Sequence, residues 1–288
     1  MAAQPLVAID RSHSYYADAE VLSANLVQPL EHEIKRQAYV KLPKDGQYQF
    51  KRADAFRLEG IISYESGYTQ VAGHRSAKPG HGFTTLTTAV VEGLNVLDVV
   101  TADRVVGQIS TEHPLDGQVP SVTFLGTRFD NLRIGGHKVD VDRNLEILGP
   151  KPANDQSYFD DPGVMSRFSQ QYTDLRSARS FPEWADEQYR WDAAEVQRRG
   201  KAQCSLVNSV AGAPGNSFGH VIDVPHFGKI FLAELTVNRE TPKPGTKDSD
   251  KYTFHLAMVR LELGCLAQGS AQFSVMDSNG QGSGGGGH

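Results

Sequence analysis

Two runs late in the chain, Lys229 to Val237 and Tyr252 to Leu263, alternate apolar and polar residues. A strand sends successive side chains to opposite faces, so a period of two fits half-buried strands and excludes an amphipathic helix. The loop between them, Asn238 to Lys251, is polar and holds two prolines, and antiparallel pairing of the two runs is the economical arrangement. An earlier block repeats the pattern. Thr84 to Val91 is rich in Thr and Val, Val96 to Ser110 carries Val99, Val100, Val105, Val106 and Ile109, and Val119 to Thr127 alternates. Asn131 to Ile134 then meets Gly135-Gly136 and His137 to Asp142, which predicts a two-residue hairpin, because glycine supplies the positive φ such turns need.

Residues 150–200 change period. Asp161-Pro162 reads as a helix start, and Val164, Met165, Phe168, Tyr172 and Leu175 follow a 3.6-residue repeat. A second start falls at Ser180 to Pro182, Trp184 and Trp191 line one face, and Gly200 stops the run after Arg198 and Arg199. Helices are expected over 162–180 and 182–198. Ahead of the strand block, Leu22, Leu26, Leu30 and Ile34 make a helical stripe broken by Pro29. Lys41 to Arg52 reads as a polar turn segment, and Ser66 to Gly82 as a long loop or loose hairpin.

The fold class that follows is mainly β, an antiparallel β-sandwich or open barrel with a two-helix insertion. The expected organisation is an N-terminal extension with the first strands over 1–82, one part of the sandwich over 83–149 and the insertion over 150–200. The second part of the sandwich spans 201–272 and a flexible Gly/Ser-rich tail 273–288. Neither half holds enough strands to close alone, so the two share one core.

Composition bounds the rest. The 288 residues carry a net charge of -5, which argues against a nucleic-acid partner, and no apolar run reaches the ~18 residues a membrane-spanning helix needs. Met1 to Gln28 lacks a basic stretch followed by an apolar one, which points to a cytoplasmic origin. The two cysteines, Cys204 and Cys265, have no zinc-ribbon spacing and are either buried thiols or one disulfide.

No catalytic or cofactor motif stands out. The chain has no nucleophile elbow, phosphate loop or dinucleotide fingerprint, so no catalytic residue and no cofactor are assigned. His220, Asp223 and His226 form the best metal constellation, since an extended segment puts both histidines on one face. Pro225 works against that geometry, and a polar loop closing onto a sheet accounts for the same residues. Asp140 and Asp142 share a strand face and read as solvated outward charge, and Asp161 reads as a helix cap.

Several segments in order resemble the bacterial domain called choice-of-anchor P. They are Thr101 to Val106, Val122 to Phe124, Phe129 to Val139, Ile222 to Glu234 and Phe254 to Leu261. The likeness covers roughly residues 83–148 and 219–263. It implies a β-rich protein of the bacterial cell surface with no assigned activity, although the chain shows no export signal or anchor and carries the helical insertion. Three functional expectations stand. The first is a non-enzymatic structural protein that self-associates as a homo-oligomer. The second is a module binding glycan or a cell-wall polymer through loops 64–82 and 211–226. The third is an enzyme with no short motif.

Overall fold

The computed structural model describes residues 13–280 apart from 30, 78–80, 116–118, 179–180, 241–249 and 265–266. We number the longer strands and the α-helices in chain order. The first six strands are β1 (Ala17–Gln28), β2 (His32–Gln37), β3 (Gln47–Ala53), β4 (Ser66–Arg75), β5 (Phe83–Val96) and β6 (Val100–His113). The helices are α1 (Pro162–Arg176), α2 (Glu183–Tyr189) and α3 (Ala193–Arg199). After them come β7 (Lys201–Ser205), β8 (Val207–Ala211), β9 (Val221–Val224), β10 (Gly228–Glu240), β11 (Lys251–Gly264) and β12 (Gln268–Gly280).

The protein is mainly β, two large antiparallel sheets layered as a sandwich, with a small third sheet in which β8 pairs Asp140–Arg143; among the described residues no barrel closes. The first sheet runs β9, β10, β11, β12, β1, β2, with Asn216–Phe218 outside β9 and β7 along the second half of β10. The second sheet is centred on β5 and β6. β4 and then β3 extend it on one side, and short strands between Ser121 and Lys138 line the far side of β6. Chain order and sheet order differ in one telling way. Residues 47–138 build the second sheet and 201–280 most of the first, while β1 crosses over to lie between β12 and β2. The described residues between 13 and 77 carry β1 to β4 and contribute to both sheets, and the helical segment is the passage from one sheet to the other.

Core-facing side chains on β10 fall at Ile230, Leu232, Leu235 and Val237, with the small Ala233 buried between them. The inward–outward phase changes at Ala233, which sits at φ 47, while the pairing with β11 keeps its register. β12 does the same. Ala271, Phe273 and Met276 point into the core, and Ser274 between them sits at φ 52. These bulge-like kinks keep the apolar side chains inward on both sides of a crease, each buried Leu, Val or Phe contributing about 1.5–3 kcal/mol. They also turn Phe231 and Glu234 to the outer face. At the crease the Ser274 hydroxyl donates to the carbonyl of Ala89 at 2.7 Å and accepts from the amide of Gly107 at 3.1 Å, tying one sheet to the other. The sheets approach closely there: a Cβ on Gly107 would stand 2.8 Å from Cγ of Met258.

Local chemistry sets several boundaries as expected. Ile134 pairs His137 across Gly135 and Gly136, at φ 56 and 80. The Asp161 carboxylate accepts from the Val164 amide at 2.9 Å, Pro162 opens α1, and Gly200 closes α3 at φ 63. Asp140 and Asp142 are exposed. Other expectations need correction. The predicted second helix is two, because Asp192 caps a new start by accepting from Glu195 N at 3.0 Å. Trp184 and Trp191 therefore do not share a face. Trp184 packs on Phe218 and Phe231, while Trp191 meets Phe168 edge-on. Leu22 and Leu26 lie on a strand, because β12 pairs β1 along its length and tertiary pairing overrides a short helical period. Ser66–Arg75 is a strand, not a loop. The flexible tail does not begin at 273, since β12 pairs β11 through Gly280 and β1 through Ser278; residues 281–288 lie outside the described residues.

Candidate functional site

The expected metal trio does not assemble. His220 precedes β9 and is fully buried, Asp223 is half-buried on β9, and His226 is exposed in the following turn at φ 62. The extended geometry that would align the histidines ends at Val224, before the Pro225–Phe227 turn. Among the described residues no three His, Cys, Asp or Glu side chains gather to hold a metal ion. Cys204 on β7 is a buried free thiol, and burial pushes its pKa up. Cys265 lies outside the described residues.

Two charged clusters sit on the outer face of the first sheet. The first centres on Glu234, 5% exposed. Its Oε1 accepts from the Tyr189 hydroxyl at 2.5 Å and from Gln203 Nε2 at 3.1 Å, and its Oε2 accepts from Arg260 Nε. Burial works against ionisation of Glu234, and the neighbouring His220 and Arg260 outweigh it, holding the carboxyl down to about 2. His220 Nε2 stands 3.8 Å from the carboxylate, beyond hydrogen-bond reach, so Arg260 carries most of this. Arg260 also lies over the Phe231 ring, 3.5 Å from its centroid, and bonds Glu262 at 2.6 Å. Tyr189 ends α2 and Gln203 belongs to β7, so the carboxylate ties the helical segment to the sheet. A cleft of about 410 Å³ opens beside it, lined by Tyr189, Arg190, Trp191, Glu195, Arg199 and Gln203.

The second cluster spans β12, β1 and β2. Arg36 bridges Asp18, at 2.8 Å, and Glu20, and both carboxylates are buried. The Tyr16 hydroxyl donates to Asp18 at 3.1 Å, and Arg36 stacks over the Tyr39 ring at 3.7 Å. Asp277, directly opposite Asp18, bonds His255 Nδ1 at 3.0 Å. Burial lowers the His255 pKa, but Asp277, then Glu20 and Asp18, carry it above its ordinary value. A polar trough of about 500 Å³ adjoins, between Ser23, Asn25, Arg36 and Gln272.

The two loops proposed for ligand capture are mostly sheet. Tyr64 is buried and donates to Gln37, the Tyr68 hydroxyl accepts from Arg104 at 3.0 Å, and 211–226 contains Asn216–Phe218 and β9. The exposed aromatics stand elsewhere, on β3. Tyr48 is 58% exposed and Phe50 51%. Phe50 stacks on Tyr68 with centroids 5.8 Å apart. They share the outer face of the second sheet, where Gln70 and Gln108 both donate to the Thr88 hydroxyl, at 3.4 and 3.3 Å. The sequence does carry the signal, since Tyr48 and Phe50 alternate with Gln47, Gln49 and Lys51, but the neighbouring turn residues mask it. The Glu234 cluster had no local signal beyond a charge inside each of two apolar runs, because its members lie far apart in the chain.

A family model described as a domain of unknown function (DUF8256) matches residues 13–238. The chain belongs to this family. The DUF8256 match takes in β1, the whole second sheet and the helices, and ends within β10. The folded unit runs further, because β11 and β12 fill the first sheet between β10 and β1. The matching model is not that of choice-of-anchor P. No curated protein and no solved structure matches.

Proposed function

We propose that this DUF8256 protein is a non-enzymatic structural module that assembles with further copies of itself. The observation that carries this reading is the position of Tyr48 and Phe50. Two large aromatic side chains stand more than half exposed on a strand at the side of a sheet, where a partner strand or face would cover them. The charged clusters support it from the other side. The Glu234 carboxylate accepts from Tyr189, Gln203 and Arg260 and is held far below neutrality, which suits a tie between elements better than proton transfer. Arg36, Asp18 and Glu20 are likewise engaged with one another.

Light scattering after size exclusion, across a concentration series, tests the reading. A mass that rises above one chain supports it; one chain at every concentration defeats it. One observation favours a second reading, glycan binding by the same face. The stacked Phe50–Tyr68 pair beside the Gln70 and Gln108 amides offers a flat apolar surface with polar groups at its side. A monomer that binds soluble oligosaccharides, and loses them in Phe50→Ala, supports that alternative.

A further inference from the structure

We propose that two copies join edge to edge through β3, antiparallel, about a two-fold axis at Phe50. This rests on the self-association reading and adds the strand, the partner and the register.

β3 pairs β4 along all seven of its residues, from Gln47 opposite Gly73 to Ala53 opposite Gly67. Among the described residues no strand pairs its other edge. That edge presents unpaired backbone donors and acceptors, which is a template for another strand. Its side chains divide cleanly. Tyr48, Phe50 and Arg52 are exposed on the outer face, while on the other Gln49 and Ala53 are half-buried and Gln47 and Lys51 are exposed. The Phe50 ring is already placed by its stack on Tyr68.

The strand is self-complementary in one register. Centred on Phe50, residues 48–52 pair in the extended region, and Gln47, at φ 90, meets Ala53 at the end of the strand. Phe50 faces Phe50, Tyr48 faces Arg52 and Gln49 faces Lys51. Each arginine meets an aromatic ring and each lysine a neutral amide, so no like charges are opposed. Centring on Lys51 puts lysine against lysine. Centring on Gln49 sets Lys51 against Gln47 and Arg52 against Gly46, whose φ of 90 and +92 take both out of the extended region. A shift by one residue sends the aromatics of the two copies to opposite faces. Lys51 and Arg52, which guard the edge against foreign strands, are accommodated in the Phe50-centred pair.

Two measurements separate this from the broader reading. Native mass by light scattering reports association, and oxidative cross-linking with peptide mapping reports register. Phe50→Cys is expected to give a 50–50 disulfide between copies, since directly opposed residues bring Cα atoms within roughly 4.5–5.5 Å. Gln49→Cys is expected to give no 49–49 disulfide, because those residues lie two positions apart in this register. Phe50→Lys, folded by circular dichroism, is expected to run as one chain where the parent runs as two. Association with a 49–49 link, a 51–51 link in Lys51→Cys, or no link in this strand overturns the register and leaves self-association standing. One chain at every concentration overturns both.

Discussion

Removing the Arg260 guanidinium is the sharpest test of how the helical segment is held. A carboxyl ordinarily near 4.5 that is held at about 2 in the fold contributes about 3 kcal/mol at neutral pH. Glu234 is buried, so solvent screens little of this. Removing one member of a buried ion pair typically costs about 3–5 kcal/mol, because the other charge is left in a poor solvent. We therefore expect Arg260→Leu to lose about 3–5 kcal/mol at pH 7, read by urea unfolding with the fluorescence of Trp184 and Trp191. The pH dependence carries a sign. The parent's folded pKa is depressed, so its Glu234 contribution is present above 4.5 and lost as pH falls through about 2. Without Arg260, burial dominates and the folded carboxyl moves above 4.5, so the variant recovers on acidification. The gap between parent and variant narrows from pH 7 to pH 4. A loss under about 1 kcal/mol at pH 7, or a gap that does not change with pH, refutes the reasoning.

Two further outcomes follow from the same geometry. Ser274→Ala removes the hydroxyl that joins Ala89 O to Gly107 N across the sheets, and should cost about 1–3 kcal/mol in chemical denaturation. His255 should titrate above 6.5 by NMR, falling back toward that value in Asp277→Asn; its raised pKa contributes stability that is complete below 6.5 and lost as pH rises through the folded value.

The sequence is legible where structure is decided locally. Gly135-Gly136, the Asp161 cap and the Gly200 stop are each set by one or two residues whose backbone or side chain permits nothing cheaper. The alternation of β10 and β11 is readable because one face is buried, although the left-handed Ala233 that resets its phase is not, since an alanine there has no local reason to leave the extended region. Reading failed where the decision is distant. Ala17 pairs Ser278 from opposite ends of the chain, so β1 looked like a helix and the end of β12 like a tail. Asp192 was a readable cap lost inside a longer apolar period. Glu234, Arg260 and Tyr189 meet only after the crease turns Glu234 outward, and no spacing in the sequence announces it.

Native mass as a function of concentration tests the central claim most directly. The account predicts a mass moving from one 31.5 kDa chain toward two as concentration rises, and held at one in Phe50→Lys. A parent protein that stays at one chain throughout contradicts it.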